Sequence, residues 1–274
     1  MTTTLRPTGP LKKSADGAKS RTYEVCVNSR PVGGIELATH AVFGPAVAQI
    51  RDLRVKDTDR RRGRATVAVL AAEEVVRGWG CKRIEVAVPA EAEAAHRLAT
   101  SLGYVERNRQ MAKPLTVDPP ALPEGVAGRP MSEDEYEVWL AHETEVYAQT
   151  WIERGVPEAE ARAKSEADHA DHLAQGLATP GVLLSALTHE GVKVGTLWLA
   201  LRDDDAFVFD VEVEEEHRGR GHGRSLMLLA EAQAREAGRT RIGLNVFAGN
   251  TPALRLYESL GYEPLTYYVY KDLL

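Results

Sequence analysis

Apolar and polar positions divide the chain into segments of two kinds. In the second half, VLLSALT (182–188) and KVGTLWLAL (193–201) are apolar runs of strand length around a His-Glu-Gly turn, predicting a β-hairpin. DDDA (203–206) then turns the chain into a third strand, FVFDVEVEE (207–215). Ahead of the hairpin stand a strand in GVAGRPM (125–131) and two helices. Ser132 and Glu135 form a capping-box pair that opens a helix over 132–154, and Pro157 suits the first turn of a second helix reaching about Leu177. The first half has strands near 22–27, 33–39 and 47–55, without the two helices. Each half closes with a glycine-rich turn, an amphipathic helix, a strand, a helix and a strand. The expected class is α/β with mixed sheets.

The shared ending reflects a repeat. RIGLNVFAGNTPALRLYESLGY (241–262) aligns without a gap on RIEVAVPAEAEAAHRLATSLGY (83–104), with 11 identities in 22 positions at an offset of 158. At the same offset Arg218, Gly221 and Gly223 fall on Arg60, Gly63 and Ala65. One spacing that aligns two separate segments marks a tandem duplication. Four prolines in PLTVDPPALPEG (114–125) read as a linker, with the boundary near residue 117. The expected organisation is a mobile polar tail over 1–20, a shortened first domain over 21–116 and a complete second domain over 117–274.

HRGRGHGRSLMLLAEAQAREAG (217–238) places glycines and arginines at the entrance of a helix. Glycine is costly within a helix but useful before one, where the backbone turns tightly or a ligand approaches closely. A Rossmann fingerprint does not fit, because Arg224 stands where the third glycine would be, and no Walker loop is present. Successive N–H groups over 219–224 can form a phosphate-binding nest at the helix N-terminus. A tight turn with solvated arginines is the competing interpretation.

The order of strand, charged turn, RGRGHG and striped helix resembles the acetyl-CoA site of the Gcn5-related N-acetyltransferases (GNATs). That family's R/Q-x-x-G-x-G/A pattern stands here as Arg218, Gly221 and Gly223. The closing LNVFAGNTPALRLYESLGYEP resembles the family's fifth strand and the helix after it. The resemblance implies two GNAT-like domains, each a mixed, mostly antiparallel sheet flanked by helices. It also implies acetyl-CoA as co-substrate, held by the backbone of Val211 and Val213, by Arg218, Gly219, Arg220, Gly221, His222, Gly223 and Arg224, and by Asn250. Tyr257 is then the proton donor to the leaving thiolate.

Asp210 and Glu212 alternate with valines and project from one strand face. Glu212 is the first candidate for the base, acting through water. Eight acids in the fourteen residues 203–216 would attract a cationic amine, though most are there to be solvated. His217 and His222 are expected to decorate the turn, and His169 and His172 to lie on the surface rather than bind a metal; no metal is expected. In the first copy, Ala99, Ala92, Ala87 and Arg54 stand at the positions of Tyr257, Asn250, Asn245 and Glu212. That copy is therefore expected to be catalytically silent. It persists as structure, paired with the second as GNAT subunits pair, in a monomer or a homodimer.

A net charge of −6 argues against a dedicated nucleic-acid or membrane binder, and no apolar run suits a signal peptide or a membrane span. Two cysteines imply no disulfide framework, consistent with a cytoplasmic setting. The expectation is an acetyl-CoA-dependent N-acetyltransferase acting on a small-molecule or peptide amine, active in its C-terminal half. Another acyl group or nucleophile, or a CoA-binding regulatory or interaction module without turnover, are the alternatives.

Overall fold

The computed structural model describes residues 2–116, 119, 121–153 and 156–273. The boundary expected near residue 117 and the helix end expected at 154 lie outside them. The chain forms two compact units. The first comprises Met1–Met111, Val246–Thr251 and Pro264–Leu274, and the second comprises Ala112–Asn245 and Pro252–Glu263.

The first unit begins with β1 (Thr3–Pro7), β2 (Lys12–Lys13), β3 (Lys19–Val27), β4 (Arg30–His40) and β5 (Gly44–Val55). The segment 1–20, expected as a mobile tail, instead holds two strands: β1 pairs antiparallel with β3 from Thr3↔Val27 to Pro7↔Tyr23, and β2 pairs with its other end. Polarity misled the expectation, because an edge strand is held by backbone hydrogen bonds and needs few apolar side chains; here Leu5 alone of β1 packs on the core. Asn28 and Ser29 both take positive φ, which closes the β3–β4 hairpin with a two-residue turn. After α1 (Arg64–Gly78) come β6 (Arg83–Pro89), α2 (Glu93–Ser101) and β7 (Val105–Pro114). β5 and β6 are parallel from Val47↔Arg83 to Ile50↔Val86. Val25, Val32, Ile35, Leu37, Ala68, Val76 and Ile84 fill the core between sheet and α1.

The second unit contains β8 (Val126–Pro130), α3 (Glu133–Ile152), α4 (Glu158–His172), β9 (Val182–His189), β10 (Val192–Leu201), β11 (Asp205–Val213) and α5 (His222–Glu236). β12 (Arg241–Phe247), α6 (Thr251–Ser259) and β13 (Glu263–Asp272) follow. Ser132 caps α3 through the expected capping box: its Oγ accepts from Glu135 N, and the Glu135 carboxylate accepts from Ser132 N. Strands β8, β9, β10 and β11 are antiparallel neighbours, and β11 runs parallel to β12 from Asp205↔Arg241 to Val208↔Leu244. Both units thus repeat one plan, in which β1, β3, β4 and β5 correspond to β8, β9, β10 and β11. The β1–β3 connection carries β2 where the second unit carries α3 and α4.

The closing strands are exchanged. β13, the last strand of the second repeat, pairs antiparallel with β6 of the first unit from Thr266↔Pro89 to Asp272↔Arg83, and Leu273 N donates to Lys82 O at 2.7 Å. The end of β7 belongs to the second unit, where Leu115 N donates to Thr240 O at 2.8 Å. These two bonds are equivalent at the repeat offset.

Candidate active site

Strand β11 is the spine of the site. Its register with β12 ends at Val208, so one backbone edge of Phe209–Val213 extends past the described pairing. Two parallel strands that part in this way offer free peptide groups to an extended ligand. The β10–β11 register shifts between Trp198↔Asp210 and Leu199↔Val208, making Phe209 the extra residue of a β-bulge. Bulges re-aim the side chains beside them. Opposite, Gly195 leaves room for the close approach of β11: a Cβ there would lie 2.4 Å from the Glu212 carbonyl oxygen.

The turn into α5 is held from below. Arg218 Nε donates to Val213 O at 3.1 Å, tying the loop to the end of β11 instead of presenting that nitrogen to solvent. Gly219 and Gly221 take φ of 77° and 88°, and Gly221 occupies the N-cap position in left-handed conformation. A Cβ on either would meet nothing within 4 Å, so the loop presents bare backbone to open space. The geometry fits a pyrophosphate cradle. Arg220 is exposed, whereas Arg224 donates from Nη2 to Ser259 Oγ at 2.5 Å and thereby ties α5 to α6.

His222 does not decorate the turn. It is 4% exposed, its ring lies 5.2 Å from that of His189, and burial followed by the neighbouring His189, His217 and Arg220 holds its pKa below the usual imidazole value. First-turn side chains of a helix that packs on a sheet are carried inward with it. His217 stays at the loop, 3.3 Å from the Glu216 carboxylate.

A cluster of titratable side chains lies where α3 meets β11. His142 Nε2 is 3.3 Å from Glu212 Oε2. Glu143, the next residue of α3, is half-buried, and burial together with the Glu212 charge pushes its carboxyl up to about 7. Asp210 is raised well above the ordinary range, first by burial and then by the charges of Glu143 and Glu212. Its Oδ2 is enclosed with no hydrogen-bond partner among the described residues. Tyr257 on α6 is 9% exposed, and burial plus the Asp210 charge push its phenol up to about 12. Burial and neighbouring negative charge therefore favour the protonated forms of Glu143 and Asp210, a cost that a cation placed among these carboxyls would offset.

An aromatic wall adjoins the carboxyls. Trp198 stacks on Phe209 at 4.8 Å and meets Trp139 edge-on at 5.5 Å, while Arg202 lies 4.7 Å over Phe207. His169, expected on the surface, is 6% exposed in this wall, with Nδ1 2.8 Å from Ser165 O. The α4 face carrying Ala161, Ser165 and His169 is the one turned inward, which a polar helix sequence conceals. His172 is exposed, 5.0 Å from the Phe209 ring.

The repeat has the same frame with other side chains. Arg60 Nε donates to Val55 O at 3.0 Å, as Arg218 does to Val213, and Gly63 caps α1 in left-handed conformation. A bulge on β5 between Ile50 and Asp52 matches that at Phe209. The glycine-capped turn and the parted strand pair thus occur twice in this chain, and a family model fits it twice. That model, described as the acetyltransferase (GNAT) family, fits residues 4–104 and again 139–262. The chain belongs to the GNAT family.

Individual GNAT proteins agree. The uncharacterized N-acetyltransferase YycN of Bacillus subtilis (strain 168) is 31% identical over 141 residues, covering 49% of this chain and 90% of that protein. The uncharacterized N-acetyltransferase YdgE of the same organism is 29% identical over 138 residues, covering 48% and 88%. Among solved structures, a GCN5-related N-acetyltransferase from Sphaerobacter thermophilus shares the fold at TM-score 0.60 and 18% identity, covering 92% of this chain and 80% of that one. The protein is thus a tandem GNAT acetyltransferase of a family that uses acetyl-CoA. Among the described residues, no helix is long and apolar enough to cross a membrane.

Of the residues expected in the site, Glu212, Asp210, Tyr257 and the 218–224 turn fall in the second unit. Asn250 stands just before α6 in the segment Val246–Thr251 of the first unit, its N–H donating to Phe247 O at 2.9 Å. Sequence reasoning missed His142 and Glu143. Helix α3 carries six acids between Glu133 and Glu145, so only its docking on β11 singles these two out.

Proposed function

We propose that the second unit transfers the acetyl group of acetyl-CoA to a cationic amine, and that the first unit is catalytically silent. The observation that carries this is the carboxyl cluster of Glu143, Asp210 and Glu212 beside Tyr257. In the first unit the corresponding β5 positions are Asp52 and Arg54, Ala99 replaces the tyrosine, and the helix that would carry Glu143 is absent.

The backbone edge of Phe209–Val213 takes the amide-bearing arm of the thioester, and the N–H groups over 219–224 take its pyrophosphate. An ammonium group enters the carboxyl pocket, where its charge offsets the repulsion that keeps Glu143 and Asp210 protonated. With a pKa near neutrality, Glu143 is poised to accept the ammonium proton, and Glu212 assists through water. The freed amine forms the C–N bond at the thioester carbon as the C–S bond breaks. Tyr257, neutral at physiological pH, donates its proton to the departing sulfur and is restored by the second proton leaving the nitrogen. The products are an N-acetylated amine and CoA thiol.

The test is thiol release from acetyl-CoA across a panel of primary monoamines and diamines. Saturable, amine-dependent release that collapses in Glu143→Gln and survives Arg54→Ala supports the proposal. Tight acetyl-CoA binding with no amine-dependent release from any acceptor favours the binding module instead.

A further inference from the structure

The first unit contains a cavity of about 460 Å³ between the parted strands β5 and β6 and helix α2. It is walled by Leu53, Val69, Val86, Ala92, Ala99 and Leu102. Apolar cavities of about 150 Å³ already take up a benzene ring, and ligand pockets begin at about 300 Å³. Its size follows from the substitutions in this repeat. Ala99 stands where the second repeat has Tyr257, and Ala92 and Ala87 stand where it has Asn250 and Asn245. Truncating a tyrosine and two asparagines on facing elements removes polar atoms and volume together. A core left merely to drift would refill such a space with larger apolar side chains, because empty volume is destabilising.

Charge at the mouth is reversed as well. Arg51, Asp52 and Arg54 line this cavity. Arg54 occupies the Glu212 position with its side chain 83% exposed, its Nε donating to Asp52 Oδ1 at 3.0 Å and its other guanidinium nitrogens left toward the mouth. The turn that leads into α1 adds Arg60, Arg61, Arg62 and Arg64. The carboxyl pocket of the second unit attracts cations, whereas this mouth repels them and attracts anions.

We propose that this cavity is a binding site for an apolar acyl chain longer than acetyl, carried on an anionic head that lies among the arginines. The chain occupies the space left by the missing tyrosine, and the head is either the phosphates of an acyl-CoA or the carboxylate of a free fatty acid. No chemistry is performed there, since Ala99 offers no proton, Arg54 replaces Glu212 and the helix that carries Glu143 has no counterpart. The ligand is held, not turned over.

The experiment is calorimetric titration of the full-length protein with CoA, acetyl-CoA, octanoyl-CoA and octanoate. Wild type is compared with Ala99→Phe, which refills the cavity, and with Arg54→Glu, an exposed substitution that leaves the core untouched. Expected is a site whose affinity rises at least tenfold from acetyl-CoA to octanoyl-CoA. Ala99→Phe should abolish that gain and Arg54→Glu should weaken the binding several-fold, with amine-dependent thiol release unchanged in both. Octanoate binding as tightly as octanoyl-CoA identifies a free acid as the ligand, and binding of the thioester alone identifies acyl-CoA. Affinity independent of chain length in wild type, or a chain-length gain that persists in both variants, overturns the proposal. Should Ala99→Phe fail to fold, Arg54→Glu decides alone, and an unchanged octanoyl affinity in it overturns the proposal.

Discussion

Lys271 Nζ donates to Glu73 Oε2 at 2.8 Å, joining residues 198 positions apart in the sequence. Glu73 is 3% exposed, on the buried face of α1, and Lys271 lies on the exchanged strand β13. The repeat offset gives the same contact in the second unit, where Lys113 Nζ donates to Glu231 Oε2 at 2.8 Å. Each buried carboxylate is thus neutralised by a lysine from the other repeat's closing strand.

Lys271→Met should leave Glu73 enclosed without its cation and destabilise the first unit by about 3–5 kcal/mol, the cost of leaving a buried charge unpaired. Adding Glu73→Gln should recover much of the loss, since the uncompensated charge disappears with it. Denaturant melts of the two single variants and the double variant measure the coupling. Hydrogen exchange should speed up in α1, far away in sequence from the substitution. Additive effects with no recovery would show that the pair contributes nothing.

Glu143→Gln carries a prediction in pH. With its carboxyl pushed up to about 7, the base form grows in as pH rises through neutrality, and wild-type turnover should rise with it. The variant should lose roughly 10²–10⁴ in turnover and lack that limb. Stability should move the other way. The folded state holds this proton more tightly than the unfolded chain does, so its contribution is complete below about pH 4.5 and is lost as pH rises to about 7. Glu143→Gln removes that loss and should melt higher than wild type at pH 8 while differing little at pH 4. An unchanged rate–pH limb in the variant would assign the base elsewhere.

Tyr257→Phe should keep acetyl-CoA affinity and lower turnover by roughly 10²–10⁴, equally for every amine, because the lost proton goes to the common leaving group. Single-turnover acetyl transfer compared with equilibrium binding separates the two effects. Wild-type turnover would leave the phenol a packing role.

Gly221→Asn tests the cradle without confounding it with backbone strain. Asparagine tolerates the left-handed conformation that Gly221 adopts, yet its side chain would fill the open space in front of the turn. Acetyl-CoA binding should weaken at least tenfold with little change in melting temperature. Unchanged affinity would move the phosphates away from 219–224.

Much of the fold was legible because its signals are local. The Ser132–Glu135 box, the turn at 189–191 and the glycine-capped α5 each write their conformation into a few residues. The edge strand at Thr3–Pro7 was not legible, since pairing there is a backbone matter and its side chains read as a tail. Glu143 was hidden for a different reason. Nothing near it in sequence distinguishes it from the other acids of α3; its raised pKa comes first from burial and then from the charge of Glu212, 69 residues on, both of which exist only in the folded unit. The exchange of closing strands was equally invisible, because β7 and β13 suit either partner and the repeat itself makes the two pairings nearly equivalent.

That exchange bears on how such a gene can change. A duplicated domain that has lost its tyrosine and its front helices would ordinarily be free to disappear. Here its last strand and the residue after it supply Lys113 and Leu115 to the second unit, and the first unit receives β13 in return. Splitting the gene at the proline-rich stretch would yield two products, each carrying a strand that belongs to the other. Selection on either unit is therefore enough to preserve the scaffold of the other, while side chains outside the exchanged strands remain free to diverge.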